Sequence, residues 1–156
     1  MIRIPLILLL MGLATTAHAQ SISQTTQLNF ATLTKPSSGS QNLTVSTSNG
    51  VSGTGTVLIG TPVAGVYQIT RGSLGTGTIT IDIQNINSGS AAVTLNSFKG
   101  LWGNNTTINS FPTSGLTRPA GGGGTTLKLG ATVTYTSSVP AGTVITPSFD
   151  IVLTQP

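Results

Sequence analysis

Apolar residues recur at every second position through most of the chain. Ile79, Ile81 and Ile83 alternate with Thr80, Asp82 and Gln84, and Phe149, Ile151 and Leu153 share one face of the final run. Successive side chains of a strand point to opposite faces, so this period predicts half-buried β-strands. Leu127, Leu129, Val133 and Tyr135 mark a long strand, with a bulge expected at Gly130-Ala131, where the apolar alternation breaks. Further strands are expected at Leu28-Asn29-Phe30, Leu43-Thr44-Val45, residues 56–60, residues 66–70, and Val93, Leu95 and Phe98. Turn chemistry separates them at Pro36-Ser37-Ser38-Gly39, Thr61-Pro62-Val63-Ala64-Gly65, Asn87-Ser88-Gly89 and Val139-Pro140-Ala141-Gly142.

No long segment carries apolar residues at helical spacing. About eight strands without helices predict an all-β fold, a single antiparallel β-sandwich of immunoglobulin-like type. Pro147 interrupts the run 144–154, which suggests a bulge or an edge position where a ladder donor can be missing. Residues 99–124 break the rhythm with Trp102, Asn104-Asn105, Phe111 and four consecutive glycines, and are expected to form a long irregular loop.

Composition then narrows the chemistry. Arg3, the apolar residues 4–14 and Ala17-His18-Ala19 form an export signal over 1–19, which leaves one domain over 20–156. Beyond that signal the chain has two Asp, five Lys and Arg, and no His, Cys, Glu or Met. An oxidising compartment is therefore met without disulfides, and stability must come from the core and the backbone ladders. No later apolar run reaches the length of a membrane-crossing helix, so no transmembrane segment is expected. The cations Lys35, Arg71, Lys99, Arg118 and Lys128 are spread along the chain instead of clustered, which argues against a nucleic-acid partner. Thr and Ser are abundant, at 28 and 17, and a branched Thr suits a pleated surface.

The same inventory excludes most catalysis. Without His or Cys there is no Ser–His–Asp or Cys–His unit and no zinc-type ligand set, so neither an enzyme nor a metal or other cofactor is expected. Asp82 and Asp150 have outward parity beside inward-facing isoleucines and phenylalanine, and read as solvated carboxylates instead of an acid/base pair. The glycine-rich stretch 120–126 lacks the Gly-Lys-Ser/Thr ending of a phosphate loop. Binding is the better-supported chemistry. Trp102, Asn104, Asn105 and Phe111 are the candidate contacts: an exposed Trp beside two amides can stack on and hydrogen-bond a sugar or anchor a protein contact. Alternatively, Trp102 folds back and plugs one end of the sandwich.

Several motifs together resemble a known family. They are Leu28-Asn29-Phe30-Ala31-Thr32-Leu33, Gly65-Val66-Tyr67-Gln68-Ile69-Thr70, Thr126-Leu127-Lys128-Leu129-Gly130-Ala131-Thr132-Val133, Pro140-Ala141-Gly142 and Phe149-Asp150-Ile151-Val152-Leu153. They are similar to the exported bacterial family known as domain of unknown function 4402. The match departs at Ala31, where that family usually has Gly, and at Val144 and Pro147, where Tyr and Gly are usual. The resemblance implies a pilin-like β-sandwich of the Gram-negative periplasm, outer surface or extracellular space, with no assigned activity.

Two functions follow as expectations. One is a non-enzymatic structural protein, a surface or fimbria-like subunit that self-assembles or joins other surface subunits. The other is a secreted binding or adhesion module that recognises a glycan or host protein through the Trp102 loop. As a donor strand, residues 20–27 offer only Ile22 as a large apolar residue, a poor insert for a neighbour's sheet.

Overall fold

The computed structural model describes residues 21–70, 77–119, 123–145 and 147–155. The export signal expected over 1–19, Arg71, and residues 120–122 of the glycine-rich stretch lie outside them. All regular structure among the described residues is β. Twelve strands follow in order: β1 (Ile22–Thr26), β2 (Thr32–Leu33), β3 (Ser40–Val45), β4 (Val51–Gly53), β5 (Val57–Ile59), β6 (Gly65–Ile69), β7 (Thr78–Asn87), β8 (Val93–Trp102), β9 (Thr106–Ile108), β10 (Thr113–Thr117), β11 (Thr125–Thr136) and β12 (Ser148–Thr154).

The larger sheet is organised around β11. Its first half pairs with β6, from Thr125↔Ile69 to Leu129↔Gly65, and its second half with β3, from Ala131↔Val45 to Thr136↔Ser40. β8 pairs with both halves, from Leu127↔Trp102 to Tyr135↔Val93. A strand has two edges, so β6 and β3 lie end to end on the edge that β8 leaves free. β1 continues the sheet beyond β6, β4 beyond β3, and β9 beyond the last three residues of β8. The second sheet has the order β10-β7-β12, and β2 pairs with β5 in a small third sheet. Every pairing is antiparallel.

Alternation accounts for the core. Leu127, Leu129, Ala131, Val133 and Tyr135 of β11 are all buried, as are Ile79, Ile81 and Ile83 of β7, and one continuous cluster joins both sheets. Each large side chain so buried contributes roughly 1.5–3 kcal/mol. With no cysteine in the chain, this cluster and the ladders hold the sandwich together.

Several sequence expectations need correction. The described residues form twelve strands instead of about eight, because the extra ones are short edge strands. Leu28-Asn29-Phe30 is not the first strand: β1 precedes it, and Asn29 makes only an isolated bridge to Val63. Residues 99–124 are not one irregular loop, since they hold the end of β8 and all of β9 and β10. Pro147 lies just before β12, which is an edge strand as expected.

The expected bulge lies at the right level of the ladder but on the other strand. Gly130 pairs with Lys99 and Thr132 with Asn96, so Ala131 alone faces both Ser97 and Phe98. The extra residue belongs to β8, where Ser97 takes a left-handed φ of 50°. Its effect is a change of parity: Val93 and Leu95 are buried before it, Phe98 and Trp102 after it. β7 carries a matching bulge. Ser148 pairs with Asn87 and Asp150 with Gln84, so Asn85 and Ile86 face Phe149 alone, and Asn85 has a φ of 49°.

Candidate binding site

The four sequence-predicted residues do not form one site. Trp102 ends β8 and is buried at 4% exposure, with its indole Nε1 donating to the Thr117 carbonyl oxygen at 2.8 Å. Both its ring and its only polar atom are spent inside the protein, so it tethers β8 to β10 and offers no stacking platform. Asn104 and Asn105 are exposed in the turn between β8 and β9. Phe111 lies elsewhere, half-buried after β9 and joined to Pro112 by a cis peptide bond. Gly100 makes room for it: a Cβ there would stand 3.0 Å from Phe111 Cζ and 3.1 Å from Ile108 Cδ1.

Phe111 instead belongs to a cleft of about 480 Å³ between the two main sheets. Ile83 and Ile86 of β7 form one wall, and Leu95 and Phe98 of β8 the other. Both bulges lie on this cleft, and each restores an apolar residue to it after the register slips. Lys99 stands at the rim with its Nζ donating to the Asn109 carbonyl oxygen at 2.6 Å. The volume falls in the range of about 300–1,000 Å³ usual for ligand clefts. The signal for this site was the change of apolar parity from Leu95 to Phe98 and from Ile83 to Ile86.

A second, shallower groove of about 440 Å³ separates β1 from β12, with Ile22, Tyr67, Phe149 and Val152 among its walls. Burial pushes the Tyr67 hydroxyl up to about 12, and a backbone hydrogen bond with Leu28 pulls it partly back. Burial likewise raises Tyr135, opposed by a backbone hydrogen bond with Thr56.

The carboxylates serve the strands they sit on. Asp82 accepts from the Ile83 backbone N–H and from Gln84 Nε2, each at 2.8 Å. Asp150 accepts from Asn85 Nδ2 at 2.5 Å. Among the described residues no three His, Cys, Asp or Glu side chains come together as metal ligands, and no helix is long and apolar enough to cross a membrane.

No family model, no curated protein and no solved structure matches the chain.

Proposed function

We propose that the chain is an exported, non-enzymatic structural protein, a surface or fimbria-like subunit that assembles through its sheet edges. The observation that carries this reading is the outer edge of β12. From Asp150↔Gln84 to Thr154↔Thr80 this strand pairs regularly with β7, and no strand among the described residues pairs with its other side. Edge strands that stay monomeric are blunted by Lys, Pro or bulges, because a row of free N–H and C=O groups templates another strand. β12 carries one charge, Asp150, and its irregularity lies only at its start. β1, across the groove, carries no charge at all and is blunted only by a register shift between Gln24 and Thr26. The signal over 1–19 supports export to the periplasm, outer surface or extracellular space.

Light scattering of the mature protein across a concentration series, with negative-stain microscopy of the protein and of cells, tests this reading. Oligomers or filaments are expected, and Val152→Lys should remove them while leaving the thermal unfolding of the subunit nearly unchanged. A strictly monomeric protein at high concentration, with no filaments on cells, overturns it.

A further inference from the structure

We infer that Asn49 is a modification site gated by the fold: its side-chain amide is protected from deamidation in the folded chain and reacts once the β3–β4 hairpin leaves the turn before β6. This goes beyond edge-to-edge assembly, because it concerns the covalent chemistry of one turn and holds for a monomer as for a fibre. Asn49 and Gly50 form the only Asn-Gly pair in the chain. Asparagine is thermolabile, and a following glycine has no Cβ to crowd its own amide nitrogen. That nitrogen, on losing its proton to base, attacks Asn49 Cγ; the N–Cγ bond forms, the Cγ–Nδ2 bond breaks, and ammonia leaves. Water then opens the imide ring. Attack at Cγ gives aspartate, whereas attack at the main-chain carbonyl carbon gives the β-linked isomer, whose backbone runs through the former side chain.

Both reacting groups are already engaged in the folded chain. The Gly50 N–H donates to Ser46 Oγ at 2.9 Å, and Ser46 Oγ lies 3.1 Å from Ser48 Oγ. While Ser46 holds this N–H, base cannot take its proton. Asn49 Oδ1 accepts from the Ala64 N–H at 2.7 Å, which ties the amide to a residue of the β5–β6 connection. The turn itself is pinned twice more. The Asn49 N–H donates to the Ser46 carbonyl oxygen at 3.0 Å, and the Ser46 N–H to the Gly50 carbonyl oxygen at 2.8 Å. Ring closure therefore waits for local opening, and breaking two ordinary hydrogen bonds lowers the reactive population about tenfold or more.

The labile pair follows from what the turn requires. Asn49 has a left-handed φ of 65°, a conformation that Asn visits more readily than most residues with a Cβ. Ala64 is 2% exposed, so its N–H needs an acceptor from the protein, and Asn49 supplies one. Gly50 lies against Ser46, where a Cβ would stand 2.9 Å from Ser46 Oγ. The two products then part ways. Aspartate keeps a side-chain oxygen of the same reach and can still accept from Ala64. The β-linked isomer adds a carbon to the main chain and takes one from the side chain, which displaces the acceptor and orphans the buried Ala64 N–H.

The test incubates the folded mature chain in mildly alkaline buffer beside the same chain in guanidinium chloride, and follows Asn49 by peptide mass mapping. The folded chain should react about tenfold more slowly, or more slowly still. Ser46→Ala should remove most of that protection and leave the denatured rate unchanged. Ser46→Thr keeps the hydroxyl acceptor and should restore the slow rate, and the unfolding temperatures of both variants confirm that the fold survives. Independently, Asn49→Asp should unfold near the wild-type temperature, whereas the purified β-linked isomer should unfold at a lower one. Several results overturn the proposal: equal rates in the folded and denatured chains, or equal folded rates for Ser46→Ala and Ser46→Thr. Faster reaction in the folded chain also overturns it, since the Ala64 N–H would then activate the amide instead of restraining it. So does earlier modification of the denatured chain at Asn87, Asn96 or Asn109, each of which precedes a serine.

Discussion

The ring of Phe149 meets that of Phe98 edge to face, with centroids 5.2 Å apart and planes inclined at 72°. On its other side Phe149 meets Tyr67 at 6.0 Å and 63°. Phe149 belongs to β12, Phe98 to β8 and Tyr67 to β6, so one side chain ties the edge of the smaller sheet to two strands of the larger. Removing a large buried aromatic costs about 3–5 kcal/mol, and edge-to-face pairs add about 0.5–1.5 kcal/mol each. Phe149 is only half-buried, so Phe149→Ala should cost about 3 kcal/mol in denaturant unfolding. A double-mutant cycle with Phe98→Leu should show coupling. Additive losses would mean that the two rings touch without stabilising each other.

Of the two roles the sequence offers for Trp102, surface contact or a plug folded back onto the sandwich, the buried ring takes the second. Because its indole N–H holds the Thr117 carbonyl, Trp102→Phe keeps most of the packing yet orphans that oxygen, for an expected loss of about 1–2 kcal/mol. Trp102→Ala should cost about 3–5 kcal/mol and drive the chain toward unfolding. Circular dichroism and denaturant titration of both variants check this order. A Trp102→Ala protein of native stability would favour the surface role, the other of the two that its sequence context allows.

Alternation made the main strands readable because burial on one face forces it. β7, β11 and β12 are long, and their inward residues repeat without exception where the ladders are regular. The short strands β1, β4, β9 and β10 were hidden because they are defined by their partners, not by their own patterns: β1 has Ile22 alone, and β4 and β9 are three residues each. The bulge was placed on β11 because small Gly130 and Ala131 blurred the pattern, although Leu127 to Tyr135 keep a single parity. The true break, from Leu95 to Phe98, was in plain view. Phe111 could be named in advance, but the cleft that holds it exists because β7 and β8, consecutive in sequence, enter different sheets.

Tyr67 gives the protein an alkaline limit. An unfolded tyrosine titrates near 10, whereas burial raises Tyr67 to about 12. Between these values the unfolded chain has lost its proton and the folded chain has kept it, so stability falls as pH rises. The contribution is fully present below about pH 10 and is lost progressively up to about pH 12. Tyr135, also raised by burial, acts in the same direction. Unfolding free energies measured across this window should decline, and Tyr67→Phe should flatten the slope. An unchanged slope in that variant would assign the alkaline loss to other groups.

Ser97 decides which side chains face the core along half of β8. It is exposed, so its side chain can be replaced without opening a cavity. Ser97→Gly relieves the positive φ, worth about 1 kcal/mol, but adds a similar freedom to the unfolded chain, so stability should change little. Ser97→Val should cost about 1–2 kcal/mol, because a branched Cβ suits that conformation poorly. Deleting Ser97 is the severe test. Without the extra residue, β8 must either slip against β11 or turn Phe98 and Trp102 out of the core, and a one-residue slip exchanges the faces of every position beyond it. The expected order of stability is wild type about equal to Ser97→Gly, then Ser97→Val, with the deletion not folding. A stably folded deletion variant would show that β8 reaches the same burial through a different register.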